Sequence, residues 1–172
     1  QRQMCIRDSY QQNTDNDNYT LAYTETRTGY TESVVGAGLA KTYEGFTALL
    51  YDTTTKVAAD GSTEVEIYYD RNYYLLSLDL DGGWGADPIY ARYGAVIGLS
   101  SPTKPGYTFA GWYSSPDTTI QEGLAKVDND IPFSVIAKAN GKDATEALAT
   151  GAYLYAKWLQ VEVMISYKPI II

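Results

Sequence analysis

Residues 103–113 read Thr-Lys-Pro-Gly-Tyr-Thr-Phe-Ala-Gly-Trp-Tyr, and this run constrains the fold of the chain more than any other. Pro105 fixes φ, and Gly106 supplies the positive φ of a type II turn. The aromatic and β-branched residues that follow are strand formers. Strict alternation puts Tyr107, Phe109 and Tyr113 on one face and Thr108, Ala110 and Trp112 on the other. Gly111 interrupts the strand, where a missing side chain marks a bulge or a close backbone approach. A strand with large rings on both faces must be covered on both sides or lie central in a small core. Gly106, Tyr107, Phe109, Gly111 and Trp112, together with Trp158 further on, are therefore read as structural residues.

The rest of the composition agrees with a sheet protein. The chain of 172 residues holds 17 tyrosines and many threonines between Gly, Asp and Asn turns, a mixture suited to antiparallel sheets with one wet face. Its length allows one ordinary domain or two small ones. The net charge of −8 argues against a nucleic-acid groove or an anionic membrane surface as partner. There is no histidine, which removes Ser–His and Cys–His catalytic pairs and every histidine-containing metal site. The single cysteine, Cys5, has no partner for an internal disulfide. No apolar run reaches membrane-spanning length and no signal-peptide pattern opens the chain, so an export signal, if used, is expected elsewhere.

Read in order, residues 1–9 (Gln-Arg-Gln-Met-Cys-Ile-Arg-Asp-Ser) match nothing that follows. They look like translated sequencing-adapter read-through of the kind found in metagenomic assemblies, and are expected to form a non-native or disordered leader outside the fold. From Tyr10 the pattern is regular. A hairpin is expected to join residues 10–12 to 19–26 through the polar turn at 13–18, with Tyr19, Leu21 and Tyr23 on one face. Asp60-Gly61 is a hairpin signal, and the strand after it alternates with Val65, Ile67 and Tyr69 inward. A boundary is expected at Asn72. Beyond it, Tyr74, Leu76, Leu78 and Leu80 line one strand face; residues 81–88 form a glycine-rich hairpin tip; residues 89–93 return as a strand. Residues 117–150 are polar and irregular, with one short helix expected over 142–148. A closing strand places Ala152, Leu154, Ala156 and Trp158 inward, and residues 159–172 read as a tail or the start of a further unit.

The two halves echo each other. Gly45-Phe46-Thr47 parallels Gly106-Tyr107-Thr108, and each half opens with a hairpin and ends on an aromatic alternating strand. Tandem units with almost no linker point to a repeat array. The fold class expected is mainly β (α+β, β-grasp-like): two small tandem modules of antiparallel or mixed sheet with little helix, spanning 10–72 and 73–158.

The second half resembles the Listeria–Bacteroides repeat, also called the internalin B-repeat, over residues 74–158. The carriers are Leu78-Asp79-Leu80-Asp81-Gly82-Gly83, the run from Pro102 to Tyr113, and Leu154-Tyr155-Ala156-Lys157-Trp158. Residues 10–72 are similar to mucin-binding-protein-like repeats, on Tyr10-Gln11-Gln12-Asn13, Tyr19-Thr20-Leu21, Thr42-Tyr43-Glu44-Gly45-Phe46 and Tyr68-Tyr69-Asp70-Arg71-Asn72. These resemblances imply β-grasp-like modules strung along secreted or wall-anchored bacterial proteins, hence an extracellular or cell-surface location. They also imply adhesion and neighbouring repeats as partners. Residues 117–151 are longer than the usual compact repeat.

Candidate sites are few. Asp15 and Asp17 within Asp-Asn-Asp-Asn alternate oxygen ligands as Ca²⁺ favours, but lack the glycine and bidentate glutamate of an EF-hand loop, and an Asx-rich turn accounts for them. Asp128-Asn129-Asp130 and the Asp79, Asp81, Asp87 group read as turns in the same way. Glu64 and Glu66 share a strand face about 6–7 Å apart, a glycosidase-like spacing, yet an alternating strand normally shows its acids to water. Gly82-Gly83-Trp84-Gly85 lacks the Gly-Lys-Ser/Thr ending of a phosphate cradle. Trp84, Tyr153 and Tyr155 are the candidate ligand contacts, each equally suited to packing against a neighbouring module. No catalytic residue, cofactor site or metal site is expected. The chain is read as a non-catalytic spacer with an adhesive capacity; the alternative is a module binding a host glycan or protein through exposed Tyr and Trp. Phe109→Ala or Trp158→Ala is expected to cost about 3–5 kcal/mol.

Overall fold

The computed structural model describes residues 1–116, 126–127 and 131–162. They form two mixed sheets in a mainly β chain. The first contains β1 (Arg2–Gln12), β2 (Tyr19–Tyr30), β3 (Phe46–Ala48) and β4 (Thr63–Arg71) in the order β2-β1-β4-β3. The second contains β5 (Tyr73–Asp79), β6 (Ile89–Arg92), β8 (Tyr107–Tyr113), β9 (Lys126–Val127) and β11 (Ala152–Gln160) in the order β6-β5-β11-β8-β9. A small pair joins β7 (Val96–Ile97) to β10 (Ile131–Pro132), and two short helices, α1 (Phe133–Ala139) and α2 (Ala144–Thr150), precede β11. Each sheet is built around a parallel pair, β1 with β4 and β5 with β11. Antiparallel strands flank each pair on both sides.

Alternation places the cores. In β4, Val65, Ile67 and Tyr69 are buried, with Leu39 beneath and Tyr43, Phe46 and Tyr51 packed around them. In the second module Tyr74 and Leu76 of β5 meet Ala152, Leu154 and Ala156 of β11, and the helices cover that face with Phe133, Ile136, Ala137, Ala144 and Ala147. Burying each of the larger side chains removes apolar surface worth about 1.5–3 kcal/mol. The second core is much the larger, because only that module has helices to cover its sheet.

Residues 1–9 are not a leader outside the fold. They make up most of β1, which pairs with β2 over its whole length and with β4 from Cys5 to Gln11. Cys5 is buried and its thiol donates to the Arg27 carbonyl at 3.6 Å. Arg7 is 2% exposed, bonded to the Leu39 carbonyl at 3.0 Å and paired with Glu25 at 2.6 Å. The physical reason is β4, which would otherwise leave an open edge towards β2. The hairpin expected from residues 10–12 to 19–26 is present, with Tyr10 opposite Leu21 and Gln12 opposite Tyr19. A register shift between Ser9 and Tyr10 breaks the single face expected for Tyr19, Leu21 and Tyr23, and Leu21 and Tyr23 lie exposed on this edge strand.

Asp60-Gly61 forms a turn, with Gly61 at positive φ and Asp60 Oδ1 accepting from the Ser62 amide at 3.0 Å. It does not join a two-stranded hairpin, since the partners of β4 are β1 and β3. In β8 the expected bulge falls at Gly111 (φ 131°): Phe109 faces Trp158 while Gly111 faces Lys157. That extra residue reverses the alternation beyond it. Trp112 therefore lies on the same face as Phe109, their ring centroids 5.4 Å apart, rather than opposite it. Trp112 is 1% exposed, and its indole Nε1 donates to the Ser100 carbonyl at 3.1 Å.

Helix α2 answers the expectation over 142–148: Asp143 caps it by accepting from the Glu146 amide at 2.8 Å, and Gly151 ends it at positive φ. Helix α1 lies in the segment read as irregular. Its apolar stripe is only Phe133, Ile136 and Ala137, and Val135 and Ile136 favour strand, so packing rather than propensity makes the helix. Asn140 at its end ties the helices to the sheet, donating to the Ser114 and Tyr153 carbonyls and accepting from the Tyr153 amide. Asp128, Asn129, Asp130 and residues 163–172 lie outside the described residues.

Candidate functional site

A set of specific polar contacts lies where the two sheets' strands β4 and β5 meet. β4 ends at Arg71 and β5 begins at Tyr73, leaving Asn72 as the whole linker. The Asn72 amide donates to the Gly45 carbonyl at 2.9 Å, and the Asn72 carbonyl accepts from the Tyr93 amide at 2.8 Å. The ring of Tyr93 lies on Gly45 so closely that a Cβ there would overlap it, and Gly45 itself holds a φ of 80°. The turn therefore needs glycine on both conformational and steric grounds. The Tyr93 hydroxyl donates to Glu44, and burial together with that carboxylate pushes the phenol pKa up.

Two arginines, one at the end of β4 and one at the end of β6, hold the junction. Arg71 donates from Nε to the Gln12 carbonyl at 3.0 Å and from Nη1 to the Tyr93 carbonyl at 2.8 Å, and it lies over the Phe46 ring. Burial and the nearby Arg92 lower its pKa. Arg92, at the end of β6, reaches into the turn between β1 and β2. Its Nη1 donates to the Asn16 carbonyl at 2.5 Å and the Asn13 carbonyl at 3.3 Å, and its Nη2 pairs with Asp17. The Asx-rich loop singled out as a cation-ligand pattern thus presents its oxygens to a guanidinium of the next module. Asp15 points elsewhere, accepting from Asn16 Nδ2 at 3.0 Å. Arg92 and Tyr93 carry no motif, Arg71 enters only within the Tyr68–Asn72 run, and sequence reading gives none of the three a role at the junction. The one available signal is their position, at strand ends beside a linker too short to hold the modules apart.

Of the candidate ligand contacts, Tyr153 and Tyr155 share the outer face of β11, and Trp84 stands at the hairpin tip after β5. Trp84 is 54% exposed at the hairpin tip, its backbone paired with Thr103 through bonds of 2.9 and 2.7 Å. Tyr153 lies beside Asn140 with Lys142 Nζ 4.9 Å from its ring centroid. Tyr155 lies on the outer face of the second sheet, in a shallow depression of about 480 Å³ with Tyr107, Tyr113, Asp79, Asp81, Lys104 and Lys157. Trp158 borders it, half-buried, donating from Nε1 to the Leu80 carbonyl at 3.0 Å and packing on Gly83. Lys104 donates to Asp81 Oδ2 at 3.1 Å and so ties the central turn to the hairpin tip. Gly106 takes the expected positive φ of 77°.

Glu64 and Glu66 lie on the first module's open face with Asp52 and Thr55. A hydrogen bond with Asp8 raises the Glu64 pKa, and Glu66 accepts from the Tyr68 hydroxyl at 3.0 Å. Among the described residues no group of three or more Cys, Asp and Glu is arranged to hold a metal ion.

The β5–β6 hairpin, the Lys-Pro-Gly turn locked to it and the bulged β8 together form the part of the chain whose sequence pattern is recurrent. Residues 74–131 match the Listeria-Bacteroides repeat domain. The match stops before α1, so the closing Leu-Tyr-Ala-Lys-Trp strand lies beyond it, although β11 is the central strand of the sheet. A Listeria-Bacteroides repeat is a repeat domain of surface proteins, generally structural and typical of extracellular locations. Among the described residues no helix is long and apolar enough to cross a membrane. No curated protein matches the chain significantly. The mucin-binding-protein-like reading of residues 10–72 finds no support in these comparisons.

Proposed function

We propose that this chain is a non-catalytic spacer segment of a bacterial surface protein, in which successive β modules are held in fixed relation so that a distal part stands away from the cell. The observation that carries this reading is the one-residue linker at Asn72, bracketed by Arg71, Arg92 and Tyr93. A flexible tether would need none of these bonds. The parallel central pair with outer antiparallel strands in both sheets supports a β-grasp-like description of the modules. Small-angle scattering of the whole chain is expected to fit one rigid arrangement, and Arg92→Ala to broaden the distance distribution. Equal profiles for the two would count against the spacer.

A second reading, binding of a host glycan or protein, is favoured by the depression holding Tyr107, Tyr113 and Tyr155 beside Asp79 and Asp81. Ring faces next to hydrogen-bonding acids suit a sugar. Probing a glycan and host-matrix array with the whole chain separates the two: selective binding abolished by Tyr155→Ala would establish the second.

A further inference from the structure

We propose that the turn at Gly106 is a docking socket for an aromatic side chain of a module following this one, built as the Gly45 turn is built to receive Tyr93. The proposal rests on the spacer-array reading and specifies the surface through which the array continues.

The two turns are the same piece of structure. The Phe46 amide donates to the Tyr43 carbonyl, and the Tyr107 amide to the Lys104 carbonyl, both at 3.1 Å. Gly45 and Gly106 have φ of 80° and 77°. Behind each turn the short strand meets the module's last strand in one register. Phe46, Thr47 and Ala48 face Arg71, Asp70 and Tyr69; Tyr107, Thr108 and Phe109 face Gln160, Leu159 and Trp158. The chain leaving each module makes the same bond to the glycine: Asn72 N–H to the Gly45 carbonyl and Val161 N–H to the Gly106 carbonyl, each 2.9 Å.

The difference is occupancy. A Cβ on Gly45 would strike Tyr93, whereas among the described residues nothing lies within 4 Å of one on Gly106. Tyr107 and Val161, which border the turn, are 40% and 48% exposed. In the occupied copy the ring arrives just beyond the β5–β6 hairpin, anchored by the bond from its own N–H to the linker carbonyl. At the open copy that carbonyl belongs to Val161. The open socket also differs chemically. Pro105 stands where Glu44 accepts the Tyr93 hydroxyl, and Gln160 where Arg71 grips the Tyr93 carbonyl. The socket has no carboxylate at that position, so phenylalanine or tryptophan suits it as well as tyrosine.

The test extends the whole chain after Val161 with a second copy of residues 73–160, so that Val161 occupies the place of Asn72. Hydrogen exchange is read at the amide of the added copy's Tyr93. Protection is expected, and Gly106→Asn, which tolerates positive φ but fills the socket, should speed exchange at least about tenfold. The same substitution in the unextended chain should lower its melting temperature only by the small cost of Asn at positive φ, since no described residue stands in that space. Exchange in the extended chain as fast as at an exposed site, or protection indifferent to Gly106→Asn, overturns the socket. The native junction is the internal control. Unprotected Tyr93 in the original module would overturn the spacer-array reading itself, independently of Gly106.

Discussion

Trp112 is the residue whose removal should harm the second module most. Its indole is buried, packed edge-on against Phe109 and bonded through Nε1 to the Ser100 carbonyl. Trp112→Ala removes that packing and leaves a cavity, a loss of about 3–5 kcal/mol, and deprives the carbonyl of its donor for about 1 kcal/mol more. A module of this size has roughly 4–13 kcal/mol in all, so the variant should be marginal or unfolded. Trp112→Phe keeps most of the buried ring and loses the bond, for roughly 1–3 kcal/mol. All three tryptophans lie in the second module, so urea unfolding followed by tryptophan fluorescence reports on that module alone, and Trp84 and Trp158 remain as probes in both variants. At about 1–3 kcal/mol per molar urea, the alanine variant should lose a molar or more of midpoint. Phe109 and Trp158 are only partly buried, so their alanine variants should cost less than Trp112→Ala, which lowers the figure expected for them from sequence. Trp158→Ala costing more than Trp112→Ala would refute the burial argument. Equal losses for Trp112→Phe and Trp112→Ala would place the stabilisation in the hydrogen bond instead.

Deleting residues 1–9 should unfold the first module while leaving the tryptophan transition of the second in place, because β4 loses its parallel partner over most of its length; an unchanged far-ultraviolet spectrum would refute the role of β1. Arg92→Ala should separate the melting of the two modules, by removing the bonds to Asn13, Asn16 and Asp17, and a single cooperative transition in calorimetry would contradict this. Lys41, with Arg27 and Arg7, holds the Glu25 pKa down to about 2. A depressed carboxylate contributes stability that is fully present above its unfolded value near 4.5 and is lost as pH falls towards 2. Glu25→Gln should therefore flatten the acid limb of first-module stability between those values, and an identical limb in the variant would sink the assignment.

Local chemistry made much of the fold legible. The alternation of Val65, Ile67 and Tyr69, and of Ala152, Leu154 and Ala156, points the same residues inward in the sequence and in the structure. Asp143 and Gly151 mark the ends of α2, and Gly106 and Gly111 mark a turn and a bulge, because backbone conformation at these positions depends on the residue itself. What escaped is what depends on register. One extra residue at the bulge moves Trp112 to the face of Phe109, a parity change that glycine permits but does not announce. Helix α1 escaped because its seven residues form a helix only against the sheet they cover.

The sequence by itself determined that this is a mainly β protein with aromatic cores, since period-two patterning and turn residues act through near neighbours. Only the tertiary structure decided that β1 reaches back to Arg2, that an Asx loop holds Arg92, and that Gly45 lies beneath Tyr93. Those contacts join residues from 28 to 79 positions apart, and their partners are chosen by the pairing of strands rather than by any local preference of the chain.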